Sequence, residues 1–407
     1  MLHPRRPLRS RCLFAFPLLL CACADGGTET RPESEVPISS NHHLLWFRSV
    51  PVLAQAATRP AAVNSGHAIL AMANDSSYQL NVNGTTATVD RYALSNAGVL
   101  SIFNSGSGRE PSTVFQGGYR LVGDEPDLFF TDRVSAGSSA SIGLYVGTQV
   151  QTGQVELEGD WHVLSLHVML QPPLLATART VARAAHGALS VAAGAAGTAR
   201  AISGTGMESG SDPAQVALTF GGSIQNLLDT GGEGDGSCNL TLSYDSGASD
   251  SRTFRAAAGT DLVLAVDEDE TDTASGLAFL VRTFDAPTTT ADPTRIAGDW
   301  LVGGFTAFVN PTNPGVDAFV GNLQLTPQGG FQLDAVGYQG IDFAYSGTWV
   351  AAADGGITLT VSGTNETWFA AVNRTYDTLA LVDSVTEARA NNLPELNLLL
   401  AVRRQEQ

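Results

Sequence analysis

The chain of 407 residues carries one strand pattern three times over. Near the end of each third, a strand, an acidic polar loop and a closing apolar strand recur. The instances are Pro126 to Asp132 with Gly143 to Thr148, Thr260 to Asp267 with Gly276 to Thr283, and Tyr376 to Asp383 with Leu398 to Arg403. The beginnings match as well. Trp46, Trp161 and Trp300 each open an apolar stretch, followed in turn by Gly66-His67-Ala68-Ile69-Leu70, Gly187-Ala188-Leu189-Ser190-Val191 and Gly321-Asn322-Leu323-Gln324-Leu325. A chain of this length exceeds one ordinary core, and repetition at such a period divides it into units with a core each. The expected units are 42–150, 155–284 and 296–404, with linker-like joints at 149–153 and 285–293.

The third copy is the easiest to resolve into elements. Period-two alternation, as in Asn322-Leu323-Gln324-Leu325 and Phe331-Gln332-Leu333-Asp334, alternates with turns such as Gln328-Gly329-Gly330 and Asp354-Gly355-Gly356. Strands are expected near 299–309, 319–326, 330–336, 342–352, 356–362, 366–373, 377–383 and 396–403. Eight consecutive antiparallel strands bury one face most simply by closing on themselves. The expected fold is therefore all-β, three tandem up-and-down β-barrels, with β-sandwich repeats as the alternative. In the second copy the alanine-rich stretch from Ala176 to Ala196 reads as either a short inserted helix or a low-complexity strand.

Gly159-Asp160-Trp161 and Gly298-Asp299-Trp300 resemble the G-x-W that opens the first strand of lipocalins. The resemblance implies that Trp161 and Trp300 each close one end of a barrel. It also implies that Arg282 and Arg403, from the last strands, pack across them in a cation–π contact. Copy one keeps Trp46, but has Leu44-Leu45 in place of Gly-Asp and Gly147 where copy two has Arg282, so both halves of the device are missing together. Thr260-Asp261 and Thr375-Tyr376-Asp377 sit where lipocalins carry a T-D-x motif in a late hairpin. No C-terminal helix of the lipocalin kind follows, so the chain is similar to a looser, calycin-type barrel relative.

The first residues have a different character. Arg5, Arg6, Arg9 and Arg11 precede an apolar core from Leu13 to Leu20, too short to span a bilayer, and Leu20-Cys21-Ala22-Cys23 resembles the bacterial lipobox. Residues 1–22 are then a lipoprotein signal peptide and Cys23 the lipidated residue. Cys21 is the weaker candidate because Leu20 fills its small-residue position, and cleavage after Ala22 or Ala24 without lipid is the alternative. Residues 23–41 read as a polar, disordered tether. Ala24 follows the cysteine, and by resemblance this favours the outer membrane, on its periplasmic or surface face.

Loss of the four leading arginines and of no acid takes the net charge from −18 to −22. Neither nucleic acid nor an anionic lipid surface suits that sign. The absence of lysine excludes a P-loop lysine, a Schiff base and a Ser-Lys dyad. Of four cysteines, Cys12, Cys21 and Cys23 belong to the leader or the anchor. Cys238, at the start of an alternating strand, reads as a buried small hydrophobe.

No G-x-S-x-G, H-E-x-x-H, C-x-x-C or Gly-rich phosphate loop occurs. His162 and His167, five apart on one strand, face opposite sides. His42 and His43 stand at the end of the tether, and His67 and His186 share a repeat position that suggests a structural slot. The acidic run from Asp267 to Asp272 and Glu233-Gly234-Asp235 lack the spacing of a calcium loop and read as solvated hairpin tips. No catalytic set, metal site or cofactor is expected. An eight-stranded barrel holds at most one small ligand, so a non-enzymatic binder of a small apolar or mixed-polarity molecule is expected. Its lining would draw on Trp349, Trp368, Phe369, Phe103, Phe115 and Tyr119. The alternative is a structural or adhesive envelope protein with filled barrels.

Overall fold

The computed structural model describes residues 38–50, 62–103, 114–120, 127–134, 141–171, 179–195, 197–210, 216–228, 232–245, 249–267, 274–285, 289–308, 315–337, 342–364, 366–384 and 395–404. The signal segment and Cys23 lie outside them. So do several of the connections between strands.

Twenty-four strands form three closed antiparallel barrels of eight. Barrel 1 comprises β1 (Ser40–Val50), β2 (Ala62–Met72), β3 (Ser77–Val82), β4 (Thr85–Leu94), β5 (Val99–Phe103), β6 (Val114–Tyr119), β7 (Asp127–Val134) and β8 (Ser141–Gln149). Barrel 2 comprises β9 (Gly159–Gln171), β10 (Arg179–Val191), β11 (Arg200–Gly210), β12 (Val216–Leu228), β13 (Gly234–Asp245), β14 (Ser249–Ala258), β15 (Leu262–Asp267) and β16 (Ala274–Arg282). Barrel 3 comprises β17 (Gly298–Phe308), β18 (Gly315–Leu325), β19 (Gly330–Gly337), β20 (Asp342–Ala351), β21 (Gly356–Val361), β22 (Thr367–Val372), β23 (Thr378–Ser384) and β24 (Glu395–Arg403). Each strand pairs with the next, and the eighth returns to the first. The barrel expectation holds over the sandwich. Of the alanine-rich stretch, 179–191 is a strand, because β10 is paired along its length with β9 and most of its length with β11.

The cross-strand register aligns the copies residue by residue. Trp161 lies between Leu189 and Arg282, and Trp300 between Leu323 and Arg403. The residue between the corresponding Leu70 and Gln149 of barrel 1 is His42. The sequence expectation of Trp46 in this slot is therefore four residues out. A slip of four keeps a side chain on the same face of a strand, so alternation alone does not expose it. Ser40-Asn41-His42 is the counterpart of Gly-Asp-Trp, and His42 and His43 belong to β1, fully buried, instead of ending a tether.

The barrels pack into a ring. Strand β2 lies against β15 and β16 of barrel 2, β10 against β23 and β24 of barrel 3, and β18 against β7 and β8 of barrel 1. In every case the second strand of one barrel meets the seventh and eighth of another. Such a head-to-tail contact, repeated until it closes, makes a pseudo-threefold ring. A shared apolar core fills the centre with outward-facing side chains of all three barrels, among them Phe47, Phe129, Leu264, Phe279, Phe305 and Leu398. This explains the burial patterns. Strands β15 and β16 are buried along their whole length and β24 all but so, having the barrel interior on one face and the ring core on the other. Far from the centre, β19 alternates buried and exposed as a one-sided strand does. At the core Gly303 leaves room for the Phe129 ring, and Phe47 meets Phe305 edge to face at 4.5 Å.

Candidate functional site

Each barrel has a plugged end and a mouth. At the plugged end of barrel 2 the chain entering β9 folds across the opening. The Trp161 indole N–H donates back to the Leu157 carbonyl at 3.1 Å. Arg282 lies 4.3 Å over the Trp161 ring and donates to the carbonyls of Thr260 at 2.9 Å, Glu158 at 2.8 Å and Glu156. In barrel 3 the plug is a single helical turn, α1 (Pro293–Ile296), N-capped by Asp292. There Trp300 donates to Ile296 O at 3.3 Å. Arg403 sits 5.3 Å over Trp300 and donates to the carbonyls of Arg295, Ala297 and Tyr376. Two of the three carbonyls in each barrel thus lock the last strand to the chain before the first, and the third ties it to the connection before the seventh. Barrel 1 does this differently. Neutral His42 replaces the indole, and the Tyr92 hydroxyl bridges to Ile38 and Ala73.

The barrel interiors are packed. Trp349 and Trp368 face into barrel 3 with Phe331, Leu359 and Leu381, and Tyr119 faces into barrel 1, edge-on to His42 at 5.7 Å. Phe369 does not line barrel 3. Neighbours on a strand point to opposite faces, so with Trp368 inside, Phe369 points out, between His186 (stacked at 4.8 Å) and His162 (5.5 Å) of barrel 2. Phe103 stands next to inward-facing Ile102 and is turned outward for the same reason. The side chain of Phe115 lies outside the described residues. Cys238 is buried inside barrel 2, its thiol pushed up to about 12 by desolvation.

The junctions between barrels hold most of the histidines. His43 Nε2 donates to the Asp235 carbonyl of barrel 2 at 2.8 Å, and its Nδ1 shares a 3.0 Å hydrogen bond with His67. One barrel further on, His162 donates to the Asp354 carbonyl of barrel 3 at 3.3 Å, in the same place in the repeat. The third junction has no such latch. Leu301 takes the histidine position, and a buried ion pair joins the barrels instead, Arg120 of barrel 1 to Asp377 at 2.5 Å. Burial holds His42 and His67 down to about 3 and His186 down to about 4.

The mouths are polar. In barrel 2, Asp267 lies 3.6 Å from both His167 and Arg252, and Arg183 lies 3.3 Å from Glu208. Asp267 is buried, so this end of the acidic run is no solvated tip; residues 268–273 lie outside the described residues. Between these groups is a cavity of about 20 Å³, room for one water. The matching layer of barrel 3 carries Asp317, Thr306, Asn397 and Asp383 on four neighbouring strands, with Glu395 beside them, all inward-facing and buried. The sequence clue to this layer was an aspartate at one place in every copy, Asp132, Asp267 and Asp383, which alternation alone does not single out. Among the described residues no three His, Cys, Asp or Glu side chains converge as a metal-binding group, and no helix is long and apolar enough to cross a membrane.

No family model and no curated protein matches this sequence. Among solved structures, the chain is similar to a tryptophan-to-alanine mutant of the vaccine antigen transferrin binding protein B from Haemophilus parasuis. The identity is 8% and the TM-score 0.29, over 93% of this chain and 79% of that one. It is also similar to intact Ap-TbpB with its N and C lobes, at 9% identity and a TM-score of 0.27, over 94% of this chain and 82% of that one. Likenesses this slight carry no argument about partners; what stands is an all-β chain of three closed eight-stranded antiparallel barrels.

Proposed function

We propose that this protein is a non-enzymatic lipoprotein of a bacterial-type cell envelope, held by lipid at Cys23, whose three solid barrels present their outer walls to other proteins. The packed interiors carry this reading. A pocket for a small molecule takes about 300 Å³ or more, whereas the cavity in the mouth of barrel 2 is about 20 Å³. Buried aromatics and aliphatics occupy the interiors where a ligand would lie.

The outer wall of barrel 3 supports the same reading. Ser346, Thr348, Val350, Thr358 and Thr360 point outward from β20 and β21 and are exposed and uncharged, with Asp342 and Asp334 at the edge of the patch. Such a wall meets a protein partner without stripping water from ions. The net charge, −18 over the whole chain and −22 once the leading arginines are lost, keeps nucleic acid and anionic lipid away, so the lipobox cysteine supplies the membrane attachment.

Native mass spectrometry of protein isolated from its own host tests the filled barrels. The expected mass is polypeptide plus acyl chains alone. A stoichiometric small molecule would restore the lipocalin-like, ligand-carrying reading. Palmitate labelling tests the anchor, and label that persists in Cys23→Ala would remove it. Turnover in a broad ester and glycoside panel would overturn the non-enzymatic assignment.

A further inference from the structure

We propose that acid releases barrel 2 from the ring as a folded unit while barrels 3 and 1 stay joined, because histidines line both junctions of barrel 2 and none lines the third. The repeat shows this position by position. His43 and His162 on the first strands have Leu301 as their counterpart, and His67 and His186 on the second strands have Val320. The turns that His43 and His162 reach carry Asp235-Gly236 and Asp354-Gly355, each glycine at positive φ, and the same turn of barrel 1 reads Ala97-Gly98. Both members of the latch are thus replaced together where barrel 3 meets barrel 1. Barrel 3 contains no histidine at all. Its junction with barrel 1 rests on the Arg120–Asp377 pair, the Phe129 ring against Gly303 and the Phe47–Phe305 contact.

At the first junction His43 Nδ1 and His67 Nε2 lie 3.0 Å apart, with Asp235 Oδ1 3.9 Å from His43 Nε2. This pair holds one added proton, His43 then donating both to His67 and to the Asp235 carbonyl. A second proton sets two cations against each other, with the Arg255 charge also acting on His67. At the second junction His186 stacks on Phe369 at 4.8 Å, and His162, 3.6 Å from Asp354 Oδ1, meets the same ring edge-on at 5.5 Å. Burial lowers both His67 and His186, to about 3 and about 4; Arg255 and His43 lower His67 further and Asp235 opposes them. Opening a junction gives these rings water and an ordinary value of 6.5, so protons favour the open state. Closure is therefore fully stabilised above about pH 6.5 and weakens as the pH falls towards 3 to 4. At pH 5 each of the two histidines shifts its junction about thirtyfold towards opening. Barrel 2 keeps its own interior core, separate from the one it shares at the centre of the ring, so it leaves whole.

Hydroxyl-radical footprinting of the full chain from about pH 7.5 to 3.5, beside circular dichroism and small-angle scattering, tests this release. Phe279 and Phe369 are covered by the contacts that barrel 2 makes in the ring, and Phe129 and Phe305 by the contact of barrels 1 and 3. On acidification Phe279 and Phe369 should gain label about threefold or more, and the radius of gyration should rise. This should happen while the β signal is intact and Phe129 and Phe305 remain protected, a result that needs no variant. Giving barrel 2 the residue of the third junction, with His67→Val and His186→Val together, should lower the pH of the step by about one unit or more. His42→Leu, whose ring lies inside barrel 1, should leave the step in place. Four phenylalanines that gain label together as the β signal is lost would mean that the chain unfolds as a whole, and would overturn the proposal. So would exposure of Phe129 and Phe305 first, no gain of label down to pH 3.5, or a folded double variant that opens at the parent's pH.

Discussion

Acid should unfold this protein well before its carboxylates protonate, because three histidines are buried in neutral form. His42 and His67 are held to about 3 and His186 to about 4, against a value of 6.5 in an unfolded chain. Protons then bind the unfolded state preferentially, so the stabilisation is complete above about pH 6.5 and is lost as the pH falls towards 3 to 4. At pH 5 each group is about 1.5 pH units into that loss. At about 1.36 kcal/mol per unit this is about 2 kcal/mol apiece and about 6 kcal/mol together. Asp354, lowered to about 2 chiefly by its hydrogen bond with His162, gives way only below this window. Asp261, raised by burial, opposes the trend. The assay is urea unfolding at intervals from pH 7.5 to 4.5, in the parent and in His42→Leu. The parent's stability should fall with a slope of two to three protons. His42→Leu, which removes the histidine from the barrel 1 interior, should lose about one proton of that slope. Equal slopes in the two proteins, or a parent that gains stability in acid, would refute the reasoning.

Other consequences follow from particular contacts. Arg282→Met removes three part-buried hydrogen bonds to backbone carbonyls and the cation from the face of Trp161. It should cost about 3 kcal/mol in denaturant and shift tryptophan emission to the red as the plug loosens. Gly303→Ala places a methyl where the Phe129 ring lies, and should cost about 1 to 3 kcal/mol and speed proteolysis at the junction of barrels 1 and 3. Breaking the buried Arg120–Asp377 pair with Arg120→Met should cost about 3 to 5 kcal/mol, and the double variant Arg120→Met with Asp377→Leu should recover much of it in the same titration. Cys238, fully buried with a raised thiol, should react with a disulfide reagent only as fast as barrel 2 opens, measured as release of the chromophore.

The strand inventory was legible from sequence because its signals are local. Alternation in Phe331-Gln332-Leu333-Asp334 and turns such as Gln328-Gly329-Gly330 specify where a strand runs and which face is apolar, whatever lies beyond. The boundaries expected for copy three accordingly fall within a few residues of β17 to β24. Closure into barrels followed from eight strands with no other partner for their edges. The functional layers were less legible. Phe369 read as lining because it is aromatic and adjacent to Trp368, yet adjacency on a strand forces the two apart. The plug of barrel 1 was misplaced by four residues because His42 has neither the bulk nor the motif of a tryptophan, and Trp46 shares its face.

What the sequence determined by itself is the triple repeat, the number and direction of strands, and one buried face per strand. What only the tertiary structure decided is the second buried face. Nearly continuous apolar strands such as Leu262–Asp267 and Glu395–Arg403 mark that something covers them, but periodicity carries no information about a partner more than a hundred residues away. The ring of three barrels, its histidine latches and the acid-lined mouth of barrel 3 arise where separate strands meet. Register and packing bring those residues together, and neither is written in any one segment of the chain.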